Sequence, residues 1–349
     1  MNIPVLTLNT GKIIPAIGYG TARVNDGELE TALDFALKAG YRYIDTAYYY
    51  QNEKVIGKVL NEWITQGKLR REDLFIVTKL PPFGNYPEGV VKYLKQSLKN
   101  LQVNYVDLYL INIPFGIKDV ETVPHPALTG GPVEWDLKTD HLSIWKEMEK
   151  QMNSGLTKSI GLSNFNKAQI EMVLQHCSIK PSCLQIELHA YLQQNELVDF
   201  CKKNDIIVMA YSPLGSRSVT SGNAKQGLRK TNKPLDEVLR IFNMLCLSKY
   251  LIFRVDLPDV LSNPMIQKIA KKHSKTEAQI VLRFDVQRGV IPIPKSSNEG
   301  RMKENIDIFD FELDEEDLTD LKLLDDGTRF LDFKDAEGIE DLPEYPFAN

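Results

Sequence analysis

Short, almost wholly apolar runs alternate along this chain with longer stretches whose apolar residues recur every three or four positions. The runs are IGYGTA (17–22), YRYIDTA (41–47), LFIVTKL (74–80), VDLYLIN (106–112), KSIGLSN (158–164), CLQIEL (183–188), IIVMAYS (206–212) and GVIPIPK (289–295). Their length and β-branched content predict strands. The stretch after the first run opens on Asn25-Asp-Gly-Glu28, an N-cap with an acid three residues on. It carries Leu29, Leu33, Ala36 and Leu37 on one face and stops at Gly40, which predicts an amphipathic helix. The other connections repeat this logic. Ahead of them all, VLTLNTGKIIP turns at Asn9-Thr-Gly11 and predicts a β-hairpin.

Strands that are apolar throughout are buried on both faces, and strands flanked by helices on both sides form a parallel sheet. Eight such units favour a closed (β/α)8 barrel over residues 1–349. The competing fold is an open doubly wound sheet with a dinucleotide fingerprint, which Gly18-Tyr-Gly20 begins. Arg23 stands where the third glycine of GxGxxG belongs, so that pattern is incomplete.

Composition narrows the function classes. A net charge of −5, with both signs interspersed, gives no global field to gather nucleic acid or an anionic membrane. No run approaches the roughly 20 apolar residues of a membrane span, and the N-terminus lacks a signal-peptide pattern. A cytoplasmic protein is the expectation. Cys177, Cys183, Cys201 and Cys246 form no CxxC pair, so neither a metal site nor a disulfide framework is expected.

Barrel active sites form at the carboxyl ends of the strands. The polar residues there are Asp45 and Tyr50, Lys79, Asn112, Ser163 and Asn164, Gln185 and Glu187, Tyr211 and Ser212, and Lys295 and Ser296. A lysine inside an apolar strand requires a counter-ion, and Asp45 at the end of the neighbouring strand supplies one. A tyrosine beside that ammonium has its pKa drawn down and can donate a proton to a carbonyl oxygen. A plain internal salt bridge beside one more aromatic of Tyr48-Tyr-Tyr50 is the competing reading. Lys295-Ser-Ser-Asn-Glu-Gly-Arg301 puts two cations and hydroxyls at a helix start, which suits a phosphate monoester such as the 2′-phosphate of NADPH. Asn164, Gln185 and the flat ring of Tyr211 suit a nicotinamide.

These segments resemble the aldo-keto reductase superfamily, especially its aldose- and aldehyde-reductase-like branch, to which arthropod ketosteroid-type reductases are also similar. YIDTAYYYQNEKVIG, VDLYLI, SIGLSNFN, YSPLG and IPKSSNEGRMKEN carry the likeness, from about residue 5 to Phe347. The resemblance implies NADPH bound in extended form on a (β/α)8 barrel with long loops at its carboxyl face. It makes Asp45, Tyr50 and Lys79 catalytic, with Tyr50 as general acid. Thr21, Asp45, Ser163, Asn164, Gln185 and Tyr211 then face the nicotinamide end of the cofactor. Ser212, Leu214 and Ser216 fall in its pyrophosphate-side loop, and Lys295, Ser296, Asn298, Arg301, Glu304 and Asn305 match the adenosine and 2′-phosphate positions.

The chain departs from the family pattern in three places. The fourth catalytic position, a histidine in LIHxP, is Asn112, whose amide can orient a carbonyl but cannot titrate. Ala22, Pro81 and Ile113 replace the pocket tryptophans, which implies a wider, aliphatic substrate pocket; His125 and Trp135 are further candidates for its wall. Beyond YSPLG, residues 217–260 form an unusual insertion, with Arg217 and Ser218 at the cofactor-clasping positions. Within it Leu235, Val238, Leu239, Phe242 and Leu245 predict an amphipathic helix that packs on the barrel, acts as a lid or meets another subunit. The expectation is a monomeric NADPH-dependent reductase of a small-molecule carbonyl, a bulky lipophilic ketone such as a 3-keto-steroid or an aldehyde. A cofactor-binding protein with little or no catalysis is the alternative.

Overall fold

A hairpin of β1 (Val5–Thr7) and β2 (Ile13–Pro15) opens the chain. The computed structural model describes residues 3–24, 26–215, 257–334 and 338–347. Eight parallel strands follow the hairpin: β3 (Tyr19–Gly20), β4 (Tyr43–Asp45), β5 (Phe75–Leu80), β6 (Leu108–Ile111), β9 (Ile160–Ser163), β10 (Cys183–Glu187), β11 (Ile207–Tyr211) and β12 (Val290–Pro292). Each lies within one of the eight predicted runs. A short pair, β7 (Gly116–Ile117) and β8 (Trp135–Asp136), decorates the carboxyl face after β6.

The strands pair in sequence order, and backbone bonds join the last to the first: Gly18 N–H donates to the Pro292 carbonyl at 3.0 Å and Gly20 N–H to the Pro294 carbonyl at 3.1 Å. The sheet is thereby closed into a (β/α)8 barrel. The two glycines have a packing reason. A Cβ on Gly18 would lie 2.7 Å from the Tyr43 ring, and one on Gly20 would lie 3.1 Å from the Ile293 carbonyl oxygen. The Gly-x-Gly pair thus permits barrel closure.

Helices α1 (Asp26–Ala39), α2 (Glu53–Thr65), α3 (Pro87–Leu101), α5 (His141–Asn153), α6 (Lys167–His176), α7 (Asn195–Lys203), α8 (Pro264–His273), α9 (Glu277–Gln287), α10 (Glu299–Ile306) and α11 (Glu315–Lys322) surround the sheet, with a single turn, α4 (Pro126–Thr129), in the loop after β7. Helix α1 buries Leu29, Leu33, Ala36 and Leu37 as the periodicity predicts, and Gly40 follows it at φ +108°. Its expected N-cap, Asn25, lies outside the described residues, as do 216–256 and therefore the helix expected around Leu235–Leu245.

Inside the barrel, Tyr43, Val77, Leu108, Leu110, Cys183, Met209, Ile291 and Ile293 form one buried cluster, stoppered at the amino end by Leu8 and Ile14 of the hairpin segment. The strand period of two positions the site. The next inward residues above Tyr43, Val77, Leu110, Cys183, Met209 and Ile293 are Asp45, Lys79, Asn112, Gln185, Tyr211 and Lys295.

Candidate active site

Lys79 is 1% exposed, so its charge must be balanced within the barrel. Its Nζ donates to Asp45 Oδ1 at 2.6 Å and to the Thr46 carbonyl at 2.8 Å, and lies 3.5 Å from Tyr50 Oη. Burial alone would lower the Lys79 pKa, but Asp45 and then Tyr50 outweigh it and hold the pKa above the usual lysine range. The ammonium stays charged. Asp45 is completed by Gln185, whose Nε2 donates to Oδ2 at 2.7 Å.

Tyr50 ends a 3-10 turn, Tyr48–Tyr50, after Ala47. Its two neighbours are tethered outward: Tyr48 Oη donates to Gln96 Oε1 and Tyr49 Oη to the Ala127 carbonyl. Tyr50 is left facing Lys79, whose ammonium is 5.0 Å from its ring centre. The pKa of Tyr50 is raised, contrary to the downward shift expected from the sequence. Burial contributes most and exceeds the opposing effect of Lys79, because Asp45 neutralises much of that ammonium's field. The phenol is therefore protonated throughout the neutral range.

A second set of bonds links the ends of β6, β9 and β11. Tyr211 Oη donates to Asn164 Oδ1 at 2.7 Å, and Asn164 Nδ2 donates to the Asn112 carbonyl at 2.9 Å and reaches Ser163 Oγ at 3.3 Å. Asn164 has a left-handed backbone, φ +63°, which asparagine tolerates better than most residues. The Asn112 side chain is half-buried and makes no hydrogen bond among the described residues, so its amide is open to a partner in the cleft. Ser163 is buried, and Thr21 Oγ1 donates to the Asp45 carbonyl at 2.9 Å. Ser212, at φ +52°, and Leu214 follow β11; Ser216 lies outside the described residues.

The cationic segment lies on the other side of the first strand. Asn298 caps α10 through Arg301 N–H, and Asn305 is buried on that helix while Glu304 is exposed. Ser296 is buried; its Oγ accepts from Asn298 N–H at 3.1 Å and its carbonyl from Tyr19 Oη at 2.8 Å. The Lys295 pKa is lowered, first by desolvation, which Glu28 opposes and Arg23 and Arg301 reinforce. Lys295 thus feels the positive charge of both Arg23 and Arg301, which a bound anion such as a phosphate would relieve.

Around the cleft, Ala22 is half-buried and Pro81 and Ile113 are buried. Ile113 packs with Phe115, Ile339, Leu342 and Tyr345 and is joined by Trp135, Phe333 and Phe347, so its surroundings are partly aromatic. Aromatic rings arrive from the loop after β6 and from the C-terminal segment, which residue-by-residue reading of strand ends does not reveal. His125 is buried in its own loop: it stacks on Phe83 at 4.1 Å, its Nδ1 accepts from Ala127 N–H, and its Nε2–H donates to the Lys118 carbonyl.

Sequence reading missed Asn52 and Arg23. Asn52, 1% exposed, accepts from Thr46 Oγ1 and donates to the Thr21 carbonyl, so it fixes the turn whose carbonyl receives Lys79. Its place two residues after Tyr50 was the available signal. Arg23 acts electrostatically on both Tyr50 and Lys295, joining the two halves of the site.

A family model described as the aldo/keto reductase family matches residues 16–326. Dihydrodiol dehydrogenase 3 of Bos taurus is 39% identical over 346 residues, covering 98% of this chain and 96% of that protein. Aldo-keto reductase family 1 member A1 of Xenopus tropicalis is 39% identical over 326 residues, covering 93% and 90%. The solved structure of the aldose reductase from Schistosoma japonicum matches with a TM-score of 0.82 at 36% identity over 99% of each chain.

Proposed function

The chain belongs to the aldo/keto reductase family, and from that premise we propose that it reduces the carbonyl of a bulky lipophilic ketone, such as a 3-keto-steroid, or of an aldehyde, with NADPH as the hydride source. One observation carries the reading: a protonated phenol at Tyr50 set beside the charged, Asp45-paired Lys79. A bound NADPH supplies the hydride. Tyr50 hands its proton to the developing alkoxide, and Lys79 stabilises the resulting phenolate by about 3.5 Å contact. Asp45 keeps Lys79 charged and aimed, and Asn112 donates an N–H to the substrate oxygen.

Ser163, Asn164, Gln185 and Tyr211 hold the nicotinamide end, and Thr21 closes the same rim. Ser212, Leu214 and Ser216 would flank the pyrophosphate. The positive charge of Arg23 and Arg301 acting on Lys295 supports NADPH over NADH, with Ser296, Asn298, Glu304 and Asn305 around the adenosine. The apolar cluster of Ile113, Phe115, Leu342 and Tyr345 supports a lipophilic substrate, with Ala22 and Pro81 at its edge. We place the protein in the cytoplasm as a monomer; among the described residues no helix is long and apolar enough to cross a membrane.

Purified protein mixed with NADPH or NADH and a panel of steroid ketones, aliphatic aldehydes and aromatic aldehydes tests this reading. The expected result is NADPH oxidation, fastest with bulky ketones. NADPH binding without oxidation by any carbonyl would instead favour a cofactor-binding protein that has lost catalysis.

A further inference from the structure

Glu187 lies two residues beyond Gln185 on β10 and is completely buried, yet no step above uses it. Its carboxylate is fully occupied from one direction. Oε1 accepts from the Phe330 backbone N–H at 2.7 Å and from His189 Nε2 at 2.9 Å, and Oε2 accepts from the Leu331 backbone N–H at 2.9 Å. His189 also stacks on the Phe330 ring at 4.3 Å.

Phe330 and Leu331 begin a C-terminal strap, described over residues 330–334 and 338–347, that returns to the carboxyl face. Its later residues Ile339, Leu342 and Tyr345 pack on Ile113 and Phe115, immediately beyond Asn112. Among its described residues the strap is also held by Tyr345 Oη to the Asp332 carbonyl, Gln169 Nε2 to the Glu344 carbonyl, a long contact from Asn166 to Pro346 and a Lys334–Glu340 ion pair. Under it lies a cavity of about 150 Å3 lined by Asn164, Phe165, Gln194, Leu197, Arg329 and Phe347. At the start of the segment a fully buried carboxylate grips two consecutive backbone amides, a charge-assisted tether that holds Phe330 and Leu331 to the end of β10.

We propose that Glu187, supported by His189, is a positioning residue that anchors the C-terminal strap against the rim and so shapes the wall of the substrate site; the substrate-site part of this rests on the carbonyl-reductase reading above. A bulky substrate that reaches Ile113, which Ile339 and Leu342 back, feels the anchor, whereas a small aldehyde that reaches only Tyr50 does not.

The test is Glu187→Gln in the full chain, which preserves shape while removing the charge and replacing one acceptor with a donor. Hydrogen exchange is expected to rise in residues 330–347 while the strands keep their protection. KM for a bulky ketone is expected to rise at least about tenfold, with kcat for a small aldehyde and NADPH affinity by fluorescence quenching within twofold of the parent. Leu342→Ala, with the anchor intact, is expected to reproduce the KM increase without the exchange at 330–331, and it keeps the idea testable should Glu187→Gln fold poorly. Unchanged strap exchange in Glu187→Gln, or equal KM changes for large and small substrates, would overturn the anchor. Parent protein that oxidises no NADPH would overturn the reductase reading alone, since the exchange measurement judges the anchor independently.

Discussion

Lys79 and Asp45 form a 2.6 Å ion pair whose side chains are 1% and 6% exposed. Such a pair is a poor source of net stability against an apolar substitute, but breaking it leaves one buried charge uncompensated, at a cost of about 3 to 5 kcal/mol. Asp45→Asn leaves the Lys79 ammonium with only neutral oxygen partners and is expected to lose stability on that scale in urea unfolding. Asp45→Asn combined with Lys79→Met removes both charges and is expected to recover much of it. A double variant no more stable than the worse single would show that the two residues are not an energetic unit.

The raised pKa of Tyr50 fixes the sign of a pH effect on turnover. Carbonyl reduction needs the protonated phenol, so kcat for reduction is expected to stay level across neutral pH and to fall only on the alkaline side. Tyr50→Phe removes the proton and is expected to lower kcat about 100-fold or more while NADPH still binds. A descending limb centred near pH 7 in the parent, or undiminished turnover in Tyr50→Phe, would remove Tyr50 from the general-acid role.

How much of this was legible in the sequence follows from the strand period. Asp45, Lys79, Gln185 and Tyr211 each stand two residues above an apolar residue of the barrel interior, so the alternation that buries Tyr43, Val77, Cys183 and Met209 also assigns the polar layer above them. The direction of the Tyr50 shift was not legible, because it depends on how completely Asp45 screens Lys79 and on how much protein encloses the phenol. The aromatic surroundings of Ile113 were hidden for a different reason. Tyr345 and Phe347 are more than 200 residues away in sequence, and nothing in the alternation around Ile113 encodes where the tail returns.

Asn112 offers an amide with no hydrogen bond among the described residues at the end of β6. An amide N–H to a carbonyl oxygen contributes about 1 kcal/mol, more as that oxygen gains charge. Asn112→Ala is accordingly expected to lower kcat/KM about tenfold without changing the shape of the pH profile, since an amide does not titrate. Asn112→His is expected to add a limb near pH 6 to 7, where imidazole changes charge. Steady-state rates over pH 5 to 9 for the three proteins decide this, and an alanine variant as efficient as the parent would exclude any contact between Asn112 and the reacting carbonyl.

Asp285 on α9 is 1% exposed, and neither carboxylate oxygen has a hydrogen-bond partner among the described residues. Its nearest cation, Arg288 Nη1, is 4.0 Å away. Burial pushes the Asp285 pKa up to about 8, with Arg288 only partly opposing. The folded chain therefore keeps a proton that the unfolded chain releases from about pH 4 upward. By linkage, stability falls as pH rises between about 4 and 8, with a slope of up to about 1.4 kcal/mol per pH unit from this group. Asparagine carries no such proton. The stability advantage of Asp285→Asn over the parent is expected to widen between pH 5 and pH 8 and to level off above it. Urea midpoints at pH 5, 6, 7 and 8 measure the gap; a gap that does not change with pH would mean that Asp285 is ionised in the folded protein throughout and that the protein finds it a charged partner.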